Sequence, residues 1–186
     1  FTRQANKPSI SIIIGGLGFN QSATTQAIDE LPAEVTLSFV PYAQNLQAWI
    51  DRARERGHEV MLELPMEPFD PDADDTGPQT LMASGSSQQN ISRLEQLLSR
   101  GAGYFGVTNY QGAKFATDGA AATPIMKTLK DRGLVFVHDG GAARSALPQT
   151  ANQTGLDFTV ADRIVDSELT ADSIDKLGGG HAHCGA

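Results

Sequence analysis

Two glutamates four positions apart, Glu63 and Glu67, are the residues of this chain best placed to do chemistry. They lie in Gly57-His58-Glu59-Val60-Met61-Leu62-Glu63-Leu64-Pro65-Met66-Glu67-Pro68. If their side chains converge, one carboxyl keeps its proton against its neighbour's charge, which gives an acid and a base. Such a pair suits glycoside hydrolysis, in which the separation of the carboxyls sets the mechanism. A carboxylate in a tight turn also collects backbone N–H groups, and Glu67 reads more simply in that structural role. Asn109 and Tyr110, with Lys114 after them, close one apolar run; His138 and Asp139 close another, and Asp162 and Arg163 follow a third. His138 with Asp139 or Glu63 would be an incomplete zinc set, since catalytic zinc takes about three protein ligands. No G-x-S-x-G elbow is present, and no Cys-His pair lies in the body of the chain.

These groups have to be positioned by the elements around them. Val60, Met61, Leu62 and Leu64 form the apolar run of a strand buried on both faces, and Pro65 and Pro68 are expected to stop it and stiffen the turn after it. Strand-like runs at 10–14, 35–40, 59–64, 104–108, 134–138 and 157–160 alternate with helix-like runs at 21–31, 44–56, 90–100, 121–132 and 143–154, the last interrupted near Pro148. A further helix starts over 170–177. Gly57 and Gly133 fit helix C-caps. Strand–helix alternation with short connections implies right-handed crossovers and a parallel sheet, doubly wound or bent into a barrel. Ligands then bind at the C-terminal ends of the strands, where Glu63 and Glu67 fall. His58, at the start of its strand, belongs to the opposite, structural end. The long connection at 69–89, rich in Pro, Asp, Gly and Ser, leaves the third strand at the ligand end and reads either as a lid or binding loop or as a solvated insertion.

Bulk properties narrow the function. The 186 residues suggest one domain, and an apolar fraction of 40% supports a real core. A formal net charge of -8 makes nucleic acid and anionic membrane surfaces poor partners. No apolar run approaches the roughly 20 residues of a membrane helix. The chain begins at Phe1 rather than Met, as if an upstream segment had been removed. Its single cysteine, Cys184, excludes an internal disulfide. Residues 1–8 read as a linker and 178–186 as a flexible, non-native tail, although His181, His183 and Cys184 there are soft-metal donors. Gly16 and Gly18 begin a dinucleotide-type glycine pattern, but its third position is Gln21 and no acid follows the second strand, which argues against a nucleotide cofactor.

Five segments together carry a resemblance: Ile12-Ile13-Ile14-Gly15-Gly16-Leu17-Gly18, Val35-Thr36-Leu37-Ser38-Phe39-Val40-Pro41-Tyr42, the stretch from Gly57 to Pro68, Gly106-Val107-Thr108-Asn109-Tyr110-Gln111-Gly112, and Gly133-Leu134-Val135-Phe136-Val137. In order and spacing, residues 9–177 resemble the divergent polysaccharide deacetylase family. The resemblance implies a distorted (β/α) barrel of the NodB type with mostly parallel strands, incomplete here because only six strands can be counted where a full barrel has eight in about 250 residues. It also implies an exported protein of the periplasm or cell envelope, associated with peptidoglycan.

Three positions depart from the family pattern. Relatives carry Asp-Asp-Leu-Gly where this chain has Gly15-Gly16-Leu17-Gly18, His-Leu-Pro-Met where it has Glu63, and Asn-Asn-His-Met-Gly where it has Thr108-Asn109-Tyr110-Gln111-Gly112. The resemblance puts metal and base groups there, and a deacetylase needs a metal to polarise the acetamide and activate water. The expectation is therefore a catalytically degenerate domain without a metal. Its mouth, lined by Gly15, Gly16, Tyr42, Glu63, Met66, Glu67, Asn109, Tyr110 and Asp139, would bind a glycan or peptidoglycan fragment or an envelope protein. The alternatives are a working deacetylase or hydrolase using Glu63, Glu67, His138 and Asp139, with zinc, and a structural domain that docks a protein partner along an exposed edge.

Overall fold

The computed structural model describes residues 10–165. The expectations for residues 1–8, 170–177 and 178–186 lie outside the described residues. Six strands alternate with five helices: β1 (Ile13–Leu17), α1 (Gln21–Glu30), β2 (Thr36–Phe39), α2 (Leu46–Glu55), β3 (Val60–Met66), α3 (Ser87–Leu98), β4 (Gly106–Gln111), α4 (Gly119–Asp131), β5 (Val135–His138), α5 (Leu147–Thr154) and β6 (Phe158–Val160). All neighbouring strands are parallel, in the order β1-β2-β3-β4-β5-β6. Sequential order with right-handed crossovers places every helix on one face of the sheet, as in a barrel, and not on both faces as in a doubly wound fold. Among the described residues the sheet stays open, with β1 and β6 as its edges. This is an α/β fold with the architecture of an incomplete (β/α) barrel.

The central strand shows how the two faces divide. Every residue of β3 is buried. Val60, Leu62, Leu64 and Met66 pack in one core with Leu46, Ile50 and Ala53 of α2 and Leu94 and Leu97 of α3. Met61, Glu63 and Pro65 alternate with them and therefore point to the other face. On that face the Ser38 and Thr108 hydroxyls, from β2 and β4, meet at 3.2 Å. Their positions pair with Met61 and Glu63, so the inner surface beside Glu63 is small and polar.

Several local expectations change. The first strand lies at Ile13–Leu17 instead of 10–14, and Ile10 and Ile12 are exposed. Only Ile13 and Ile14 pair regularly with β2; the register then shifts before Leu17 meets Phe39, with Gly16 at φ +72°. Glycine is the residue that turns there without a Cβ penalty. Pro65 does not stop β3, which runs on to Met66. The missing N–H of Pro65 is no obstacle because the regular pairing of β3 with β2 ends at Leu62, and beyond it the Pro65 carbonyl accepts from Leu81 N at 2.9 Å. Pro148 does not interrupt a helix either; it opens α5, where its fixed φ is already helical. α3 starts at a Ser86/Gln89 capping box and α4 at Asp118, whose carboxylate accepts from Ala120 and Ala121 N–H, so both helices begin earlier than apolar periodicity suggests. Gly57 and Gly133 do take positive φ after α2 and α4. His58 is buried at the N-terminal end, its ring nitrogens against the carbonyls of Val35 and Ile28.

The connection after β3 is folded rather than loosely solvated. Leu81 runs briefly beside Met66, Glu67 N donates to Leu81 O, and Leu81 itself is fully buried. Asn90 of α3 brackets Met82 with both of its amide atoms, and Arg93 holds the carbonyl of Thr80. Thr80 Oγ1 sits 2.7 Å from both Thr76 Oγ1 and Gly77 O. This wall stands over the C-terminal ends of the strands. Among the described residues no helix is long and apolar enough to cross a membrane.

Candidate functional site

Glu63 reaches the mouth from the inner face of β3. It is only 5% exposed. Its Oε1 accepts from the backbone N–H of Gly16 at 2.6 Å, across the gap between β3 and the β1 turn. Its Oε2 is buried with no hydrogen-bond partner among the described residues. Burial pushes its carboxyl up to about 7, against the lowering effect of the Gly16 N–H. A Cβ on Gly15 would come within 2.8 Å of Oε1, so glycine at that position leaves room for the carboxylate.

A pocket of about 440 Å³ opens beside it. Gly16, Tyr42, Glu63 and Tyr110 all line it. The Tyr42 hydroxyl accepts from Gln79 N at 3.0 Å, and its ring fills the place a Cβ on Gly77 would need. Burial raises the Tyr42 phenol above its ordinary range. The folded connection is thus clamped onto the second strand's exit, and Asp75, Thr76 and Gly77 become one wall. Phe19, 67% exposed, forms another part of the lining. Phe19 and Asp75 escape sequence reasoning because nothing in a loop's composition says which residue turns inward.

Glu67 is equally buried but differently used. Its carboxylate accepts from Lys114 Nζ at 2.6 Å and from Ala83 N at 2.7 Å. Its own carbonyl accepts from the N–H groups of Lys114 and Phe115. It lines a smaller, neighbouring cavity of about 220 Å³ between Pro68 and the connection, which has Asp75, Thr76 and Gly77 in common with the first, and it shares no hydrogen-bond partner with Glu63. His138 lies on the helix-facing side of β5, 3% exposed, its Nδ1 2.9 Å from Asn109 Oδ1. Because Asn109 Oδ1 only accepts and also takes Asp139 N–H, Nδ1 carries the proton and the partnerless Nε2 is the bare nitrogen. Burial lowers the His138 pKa, and the Asp139 carboxylate, 3.3 Å away, opposes that. Met66 faces the helix-side core against Gly112. The structure therefore brings together Gly15, Gly16, Tyr42, Glu63 and Tyr110, and sets Met66, Glu67, Asn109, His138 and Asp139 apart from them. Gln111, at φ +56°, marks strain where β4 leaves the mouth; its amide holds Asp74 of the connection.

The donors at the mouth do not fit a catalytic metal. Among the described residues, Glu63 and Asp75 are the carboxylates that line the pocket, Gly15 and Gly16 carry no side-chain donor, Glu67 is paired with Lys114, and His138, whose Nε2 is bare, lies on the helix-facing side of β5 and does not line the pocket. Among the described residues no three His, Cys, Asp or Glu side chains gather as a metal set.

Comparison with known proteins places these observations in a family. The family model described as divergent polysaccharide deacetylase matches residues 12–177. A solved structure of an uncharacterized protein from Agrobacterium tumefaciens superposes with a TM-score of 0.88 at 37% identity, covering 91% of this chain and 69% of that one. Two curated relatives, an uncharacterized protein of Haemophilus influenzae and the uncharacterized protein YibQ of Escherichia coli, are each 22% identical over 148 residues. Those alignments cover 79% of this chain and 51% and 45% of the relatives, so the chain spans about half their length.

Proposed function

The chain belongs to the divergent polysaccharide deacetylase family, and from that premise we propose that its mouth binds an envelope glycan, peptidoglycan or a fragment of it, without deacetylating it. One observation carries the reading. A buried carboxyl, one of its oxygens without a partner among the described residues, lines a pocket together with three aromatic side chains, at the place where the family pattern implies a metal, and the positions that would complete the metal set are Gly15, Gly16 and Tyr110. Tyr42, Tyr110 and Phe19 line the pocket with aromatic rings on which a sugar can stack, while the Glu63 carboxyl can bond hydroxyls or amides. The volume of about 440 Å³ falls within the range of small-molecule sites. Location in the periplasm or envelope is part of this proposal, and an envelope protein bearing such a glycan is the partner it suggests.

Calorimetric titration with muropeptides and chito-oligosaccharides tests it. Binding that disappears in Glu63→Ala, with no acetate released in the presence of added zinc, is the expected outcome; acetate release dependent on Glu63 would replace it with hydrolysis. That second reading has its own support, because a carboxyl pushed up to about 7 can take and return a proton near neutrality. It lacks a partner group, since His138, Asp139 and Glu67 do not reach the pocket.

A further inference from the structure

We propose that the ligand of the Glu63 pocket is an amino sugar carrying a free primary ammonium group, in preference to its N-acetylated form. This inference rests on the glycan-binding reading and specifies its chemistry. Two carboxylates, Glu63 and Asp75, line the pocket, and among the described residues no Lys or Arg does. Arg100 acts on the Tyr42 phenol, but its guanidinium donates to the carbonyl of Pro41 and Arg100 does not itself line the pocket. Lys114 is taken up by Glu67.

Three aromatic side chains, Phe19, Tyr42 and Tyr110, line the same space. A cation is attracted to the faces of such rings, and most strongly where water is excluded. Among the described residues Glu63 Oε2 has no donor, and an ammonium brings three. A nearby cation also favours the ionised carboxylate, so the ligand would offset the burial that holds Glu63 close to neutral. An acetamide carries no charge: its one N–H can donate to the carboxylate, but it neither attracts the rings as a cation does nor favours ionisation, and its carbonyl meets the carboxyl only when that is protonated. Tyr110 and Phe19 are both substantially exposed, so the rings form an open rim and a sugar within a chain can enter.

The test titrates the protein near neutral pH with glucosamine oligomers, N-acetylglucosamine oligomers and glucose oligomers of equal length. The free-amine oligomer is expected to bind roughly ten-fold more tightly than the acetylated one, the size of one desolvated cation–π and carboxylate contact. Glu63→Gln should remove that preference, and Asp75→Asn and Tyr110→Ala should each reduce it, with unchanged circular dichroism. Because the chain carries a net charge of -8, a preference that survives in Glu63→Gln would mean diffuse attraction by the acidic surface, and would overturn the inference. Equal or tighter binding of the acetylated oligomer would overturn it too, and would leave the glycan-binding reading standing. If no oligomer or muropeptide binds at all, that broader reading fails and the amine preference fails with it.

Discussion

Glu63 and Glu67 are four residues apart, leave the same strand and are equally buried, yet they face opposite demands. Around Glu67 both carboxylate oxygens are satisfied, one by Lys114 and one by the Ala83 N–H, and its carbonyl ties down the turn after β4. Around Glu63 one oxygen is satisfied by Gly16 and the other has no partner among the described residues. A buried charge with its full complement of donors holds structure together, whereas one left short is destabilising until something else supplies the donor. Burial by itself did not distinguish these residues; the inventory of donors did.

The widest consequence is in stability. Glu67→Ala should lower the free energy of unfolding by about 3 kcal/mol, because it strands the Ala83 N–H and frees Lys114, and it should open the connection after β3 to proteases. Urea denaturation and limited proteolysis measure this, and a loss below about 1 kcal/mol would erase the contrast between the two glutamates.

Glu63 should behave in the opposite sense. Between its ordinary value of 4.5 and its folded value of about 7, the unfolded chain releases the proton while the folded chain keeps it, so stability falls as pH rises through that window and is level above it. The difference in unfolding free energy between wild type and Glu63→Gln should change by about 2–3 kcal/mol across the window, in favour of the glutamine variant at the alkaline end. Parallel pH profiles for the two proteins would show that the carboxyl is not held near neutral.

Gly15→Ala sharpens the comparison at closer range. Its Cβ would press on Glu63 Oε1 at 2.8 Å, which should displace the Gly16 hydrogen bond at a cost of about 1–2 kcal/mol and weaken ligand binding more than it weakens the fold. Thermal melts beside titrations separate the two effects. The smallest change is expected from Tyr42→Phe, about 1 kcal/mol from the lost Gln79 N–H bond, seen as faster hydrogen exchange at 75–79 while Glu67 still holds the base of the connection.

Much of this was visible in the order of residues. Alternating β-type and helical runs dictate a parallel sheet because each run has one way to hide its apolar side, and Gly57 and Gly133 mark helix ends because only glycine turns there freely. The segments around Glu63 and Tyr110 were legible as strand ends for the same reason. The strand boundaries near Gly15 and Pro65 were not, because pairing partners on β2 and the connection decide them, and those partners lie far along the chain.

The sequence by itself determined that carboxylates, an imidazole and tyrosines would arrive at one end of a parallel sheet, since they follow the apolar runs that must be buried as strands. Only the tertiary structure decided which of them share a space. Side chains alternate between the two faces of a strand, so His138 turns toward the helices while Glu63 turns inward. Whether a buried oxygen finds a donor depends on loops folded from elsewhere: among the described residues Lys114 and Ala83 reached Glu67, and only the Gly16 N–H reached Glu63.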